Sequence, residues 1–146
     1  MLKNIYLCDD DGDDRDFFRE ALSQINEKAS LITSTNGEEL LFQLHREKYP
    51  FPDIIFLDLN MPRKNGIATL HEIKSDYRFR AIPIVILSTS QYTENIDATF
   101  CLGANRYVVK PTNFDDLKNS IRILITRQIN PVESINNYLF TTRQSL

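Results

Sequence analysis

Two rhythms of apolar residues take turns along this chain. Ile5-Tyr6-Leu7-Cys8 is a short unbroken apolar run, and behind it Phe17, Phe18, Ala21, Leu22 and Ile25 return at helical spacing on one face. That pair predicts a strand followed by a helix. Leu31-Ile32-Thr33 makes a second strand closed by Asn36-Gly37, and Leu40, Leu41 and Leu44 mark a second helix, which Pro50 and Pro52 forbid from continuing. Ile54-Ile55-Phe56-Leu57 and Ile84-Val85-Ile86-Leu87 are apolar at consecutive positions, as expected of strands covered on both faces. Ile67, Leu70 and Ile73 stripe the helix between them. Ile96, Ala98 and Phe100 trace a weaker one, followed by Tyr107-Val108-Val109 and a last stripe of Phe114, Leu117, Ile121 and Leu124. About five strand-helix units result.

Continuous apolar strands alternating with helices imply a parallel sheet between two helical layers, because right-handed crossovers lay the helices on its faces. The predicted fold is doubly wound α/β with five parallel strands. Ligands of such sheets meet the carboxyl ends of the strands, so chemistry belongs in the residues just after each apolar run. Beyond Asn130 the pattern changes. Asn130-Pro131-Val132-Glu133 reads as a cap, a proline at the first helical position and an acid two residues later, predicting a short extra helix with Val132, Ile135 and Leu139 on one face. Residues 1–129 are therefore read as one domain and 130–146 as a helical extension with a frayed end.

Composition narrows the classes. A chain of 146 residues, 42% hydrophobic and 25% charged, is in the range of one globular domain with its own core. The net charge of −3 lacks the basic footprint of a nucleic-acid binder. No apolar run approaches the ~20 residues that span a bilayer, and Met1-Leu2-Lys3-Asn4 leads into a strand, not a signal peptide, so a cytoplasmic address is expected. Cys8 sits in an apolar run and Cys101 near the end of a helical pattern, and both are read as buried thiols outside any disulfide or metal framework.

The residues at the predicted strand ends are Asp9, Asp10 and Asp11 after the first strand, Asp58 after the third, Ser88 after the fourth and Lys110 after the fifth. Clustered carboxylates repel and would protonate without a compensating cation, which makes a hard divalent ion the economical explanation. Mg2+ fits a site of two or three carboxylates and a backbone carbonyl, since it keeps several waters. Calcium usually needs more protein oxygens, and no glutamate closes an EF-hand loop here. A metal beside an aspartate, a lysine and a small hydroxyl is also the equipment of phosphoryl transfer, in which catalysis is mostly positioning and charge neutralisation. Asp58 would then attack phosphorus, Lys110 and the metal would neutralise the equatorial oxygens, and Ser88 would donate a hydrogen bond to the phosphoryl group.

Cys8-Asp9-Asp10-Asp11, Asp58-Leu59-Asn60-Met61-Pro62 with Asn65-Gly66, Leu87-Ser88-Thr89, and Gly103-Ala104 through Tyr107-Val108-Val109-Lys110-Pro111 resemble the receiver domain of response regulators, in order and in spacing. The resemblance covers about residues 3 to 128. It implies a flavodoxin-like sheet of order 2-1-3-4-5. It also implies Asp9 and Asp10 as the acidic pair on Mg2+, Asp58 as phosphoacceptor and metal ligand, and the Asn60 carbonyl as a further metal ligand. Ser88 and Tyr107 become the switch pair, and Lys110 precedes a proline whose peptide bond is commonly cis. The implied donor is a sensor histidine kinase or a phosphotransfer protein. With no output domain following, signalling would run through contacts with an unidentified downstream protein, by a loop equilibrium that phosphorylation shifts. Such a protein catalyses only its own phosphorylation and dephosphorylation. Stand-alone receivers often pair through the fourth helix and fifth strand, and the Val132, Ile135 and Leu139 stripe would reinforce such a homodimer. Thr89 departs from the family, which often has alanine there. Asn60 and Ser90, each two residues past a key position, are expected to tune hydrolysis of the aspartyl phosphate.

Plainer readings stand beside these. Asp13, Asp14 and Asp16 are acids in the first turn of a helix and are read as complementing its dipole. His45 and His71 lie in helical segments away from the strand ends and are read as surface residues, while Arg63-Lys64 in the loop after Asp58 would be solvated or would steer an acidic partner. Two other functions compete: a haloacid-dehalogenase-like phosphatase with Asp9 as nucleophile, and an interaction module that is never phosphorylated. The first needs a further acidic motif after the lysine, where the chain has only Asp115-Asp116 in a helical pattern.

Overall fold

Each apolar run becomes a strand, and each stripe up to Leu124 becomes a helix. The computed structural model describes residues 1–127, 129 and 134–140. Its elements run β1 (Asn4–Cys8), α1 (Gly12–Ile25), β2 (Ser30–Ser34), α2 (Gly37–Leu44), β3 (Ile54–Leu57), α3 (Gly66–Ser75), β4 (Ile84–Ser88), α4 (Thr93–Cys101), β5 (Arg106–Val109) and α5 (Phe114–Thr126), then a 3-10 turn at Ile135–Asn137 and β6 (Leu139–Phe140). The sheet is parallel in every pair, with order β2-β1-β3-β4-β5-β6. The doubly wound, flavodoxin-like fold expected from the sequence is the observed one, extended by one strand.

Strand side chains alternate between two cores, as the period of two requires. Ile5, Leu7, Ile54, Phe56, Val85, Leu87 and Val108 pack under α1 and α5, against Phe18, Ala21, Leu22, Ile121, Leu124 and Ile125. Tyr6, Cys8, Ile55, Leu57, Ile84, Ile86 and Tyr107 face Leu40 of α2, Leu70 and Ile73 of α3, and the half-buried Ile96 and Phe100 of α4. Both faces of the sheet are thus covered, which is why β3 and the first four residues of β4 are apolar at consecutive positions.

Polar caps start the helices where the strands end. Asp11 accepts from the amides of Asp13 and Asp14 to open α1. Asn36, Asn65 and Asn113 each accept from the amide three residues on and open α2, α3 and α5. Satisfying these otherwise orphaned donors fixes where those four helices begin, whereas α4, preceded by Tyr92, starts without a side-chain cap.

Four expectations change. The extension was read as helical, with Leu139 on a helix face; its described part holds a single 3-10 turn, and Leu139 lies in β6, paired with Tyr107 of β5. The expected helix start at residues 130–133 lies outside the described residues. Of the expected stripe, Ile135 is exposed while Leu139 packs on the core beside Tyr138, so the two do not form one free face. Cys101 is exposed, because α4 turns Ile96, Thr99 and Phe100 inward, and both cysteines are free. Phe17 is also exposed, with Phe18 taking the place under the sheet.

Candidate functional site

The parallel order brings β1, β3, β4 and β5 side by side, so their carboxyl ends form one edge. Backbone bonds continue the ladders past the strands: the Asp58 amide donates to the Cys8 carbonyl at 2.9 Å, and the Lys110 amide donates to the Ser88 carbonyl at 2.8 Å. Residues 9, 58, 88 and 110, far apart in sequence, are thereby held in register by main chain.

Asp9, Asp10 and Asp58 each bring a carboxylate oxygen within 4.8 Å of the others. Asp9 is 1% exposed and Asp58 5%, while Asp10 faces solvent. Oxygen-only donors with one side open to water suit a hard divalent cation that retains water ligands. Lys110 supplies positive charge from β5. Its Nζ lies 2.8 Å from Asp9 Oδ2, 2.8 Å from Asp14 Oδ2 and 3.6 Å from Asp58 Oδ2. The Leu59 amide donates to Asp58 Oδ1 at 2.8 Å, and the Asp11 amide to Asp9 Oδ1 at 3.0 Å, so both carboxyl planes are fixed.

Burial dominates the ionisation of this cluster. It pushes Asp58 up to about 6, with Lys110 pulling the other way and Asp9 adding repulsion. Burial also raises Asp9, against hydrogen bonds from Lys110 and the Asp11 amide. For Lys110 burial opposes the charged form, but the bonds to Asp14 and Asp9 outweigh it and leave the ammonium firmly charged. Burial takes the Cys8 thiol to about 12, so it is an inert neighbour that contacts Met61 Sδ at 3.4 Å.

The sign of the Asp58 shift has two consequences. Its folded value exceeds the ordinary 3.8, so the group costs the metal-free fold stability above pH 6 and nothing below pH 3.8. Metal-free protein is expected to gain up to about 3 kcal/mol from this group as pH falls through that window. A divalent cation needs the carboxylate, so its affinity is expected to be about tenfold weaker at pH 5 than at pH 7.5, with proton release on binding. Calorimetric titration at the two pH values measures this, and equal affinities would contradict it.

Ser88 is fully buried, and its Oγ accepts from the Ser90 amide at 3.1 Å. Tyr107 is fully buried, and its hydroxyl donates to the Ser90 carbonyl at 2.8 Å, tying β5 to the loop after β4. Burial raises its pKa, against bonds to Ser88 and Ser90. Asn60, Thr89 and Ser90 line a groove with Gln91, Tyr92 and Asn95 at the mouth of the site. No peptide bond among the described residues is cis, so the bond before Pro111 is trans, unlike the implied family feature. His45 and His71 are exposed as expected, and Lys64 pairs with Glu72. Asp14, read from sequence as a dipole acid, is instead a partner of Lys110. An acid at that helical position carries no signal of its own, because only the packing of α1 beside the end of β5 reveals what it faces.

The chain matches the family described as "Response regulator receiver domain" over residues 5–122. It is 34% identical to response regulator Rcp1 of Synechocystis sp. over 119 residues, covering 79% of this chain and 81% of that protein. The phosphorylated cyanobacterial phytochrome response regulator RcpA superposes with a TM-score of 0.79 at 34% identity, over 85% of this chain and 91% of that one. The Mn2+-bound form of Rcp1 gives a TM-score of 0.78 at 30% identity, over 89% and 96%. Among the described residues no helix is long and apolar enough to cross a membrane. With the family match spanning most of the chain and the strand-end acids and lysine inside it, this protein belongs to the response-regulator receiver domain family.

Proposed function

We propose that the site accepts a phosphoryl group on Asp58 and returns it to water, with the folded chain as both catalyst and product. The observation that carries this reading is the Lys110 ammonium, held between Asp9 and Asp58 at the edge where four strands end. A carboxylate oxygen of Asp58 forms a bond to phosphorus as the bond from phosphorus to the donor nitrogen or oxygen breaks. The electron pair leaves with the donor, and a mixed anhydride remains on the aspartate. No proton need move at Asp58 above pH 6, since it is ionised there. The Leu59 amide holds Oδ1 and leaves Oδ2 on the Lys110 side. Lys110 stabilises charge on the transferring oxygens, and Ser88 exchanges its bond to the Ser90 amide for one to the phosphoryl group. Asp9, Asp10, Asp58 and the Asn60 carbonyl would hold Mg2+, which when bound neutralises the acids and the phosphoryl charge.

Movement of Ser88 would pull on Ser90 and hence on Tyr107, which carries the state of the site to α4 and β5. The donor class is a sensor histidine kinase or phosphotransfer protein in the cytoplasm, and relatives named for phytochrome and red-light signalling make a photoreceptor kinase the first to try. Output runs through a downstream protein; β6 occupies the outer edge of β5, so a homodimer on this side of the sheet would have to use a surface that includes β6. Intact mass after incubation with Mg2+ and acetyl phosphate tests the core of it. One phosphoryl increment is expected on the wild type and none on Asp58→Asn. An adduct that survives Asp58→Asn and vanishes in Asp9→Asn would instead support the phosphatase, and no wild-type adduct would support the interaction module.

A further inference from the structure

We propose that Asp14 is a positioning residue of this site: it holds Lys110 toward α1 and competes with the phosphoryl group on Asp58 for that ammonium. The inference rests on the phosphoacceptor reading above. Lys110 Nζ sits 2.8 Å from Asp14 but 3.6 Å from Asp58, so the ammonium leans away from the acceptor. Of its three carboxylate partners, Asp9 and Asp58 belong to the cluster that fits a cation, and Asp14 does not. It is therefore the partner that a bound cation leaves untouched.

The position of Asp14 is built by the fold. Its amide is fixed by Asp11, the cap of α1, and the helix then projects the carboxylate across to β5, 96 residues away in sequence. Asp13, one residue earlier in the same turn, stays exposed. The ion pair borders a cavity of about 290 Å³ lined by Asp9, Asp14, Phe17, Lys110 and Phe114 among others, so the lysine has space to move beside largely apolar walls that strengthen its attraction to the acid.

Transfer adds ~1.5 to 2 negative charges at Asp58. To reach the new oxygens the ammonium must shift toward Asp58, and Asp14 opposes that shift. Asp14 also places a like charge on the far side of Lys110 from the oxygens that gain charge. The bonds made and broken are those of the transfer already written, with acetate leaving acetyl phosphate with the electron pair. Asp14 changes only the cost of recruiting Lys110.

The test compares wild type, Asp14→Asn, Asp14→Ala and the control Asp13→Asn. Adduct formation from acetyl phosphate with Mg2+ is followed by intact mass, thermal unfolding is recorded on metal-free protein, and Mg2+ affinity is measured by calorimetry without donor. Both Asp14 variants are expected to form the adduct about 3- to 10-fold faster, as removal of one partly screened charge near the reacting atoms implies. Mg2+ affinity is expected to change by less than about threefold, and Asp13→Asn to match wild type. A merely structural residue would slow the reaction in step with lost stability. Unchanged or slower adduct formation in the Asp14 variants overturns the proposal, as does an equal gain in Asp13→Asn, which would reflect net charge alone. Absence of an adduct on wild-type protein would instead overturn the phosphoacceptor reading itself.

Discussion

Lys110→Ala is expected to lose about 3 kcal/mol of stability at pH 8 without metal and to accept a phosphoryl group at least about 100-fold more slowly with it. The lysine side chain is 14% exposed and is the shared counter-charge of Asp9, Asp14 and Asp58. Asp9 and Asp58 are already raised by burial, with Lys110 restraining both. Without it their folded pKa values climb further above the ordinary 3.8. For a carboxyl group raised by folding, the penalty is complete above the folded value and is lost as pH falls toward the unfolded one. The gap between variant and wild type is therefore widest at pH 8 and closes toward pH 4. Mg2+ should narrow it too, because a cation on the carboxylates replaces part of the missing charge. Denaturant unfolding across pH, with and without Mg2+, measures both effects. A gap independent of pH and metal would mean that Lys110 acts through packing and not charge.

Gly66→Ala is expected to be the most damaging single-methyl change near the site, costing about 2–4 kcal/mol despite the better helix propensity of alanine. A Cβ at Gly66 would lie against the Asp58 carbonyl oxygen and 2.7 Å from Leu59 Cα, both main-chain atoms that no side-chain rotation can clear. The Gly66 amide donates to the Leu59 carbonyl at 2.9 Å, so α3 begins directly against the loop that carries the acceptor. Displacing that loop moves the Asp58 carboxylate relative to Lys110. The variant should consequently lose phosphorylation rate as well as stability, whereas Ala68→Gly in the same helix should lose only stability. Thermal unfolding and adduct kinetics on both variants check this. A Gly66→Ala protein with wild-type kinetics would show that the loop yields without moving the acid.

Much of the site is legible in the sequence. A buried parallel strand needs apolar residues throughout, so β1, β3, β4 and β5 announce themselves, and the polar residue that ends each run is automatically at the carboxyl edge. Asp9, Asp58, Ser88 and Lys110 were found in that way. The strand pattern places Tyr107 on β5 but does not reveal that the loop after β4 offers the Ser90 carbonyl to its hydroxyl. Cys101 was misjudged because α4 is short and only weakly amphipathic, which leaves its inward face undefined by pattern. β6 is two residues long, too short for any periodicity, and exists through its pairing with the β5 edge.

By itself, then, the sequence determined the five strand-helix units and which polar residues terminate their strands, because both follow from local burial patterns and caps. Tertiary structure alone decided the distances among those residues. The packing of α1 on the sheet, beside the end of β5, turned Asp14 from a helix-dipole acid into a partner of Lys110, and pairing at the β5 edge turned the tail into a sixth strand that buries Tyr138 against Tyr107. Such contacts join residues distant in the chain, and no local pattern encodes which side chains two packed elements will bring face to face.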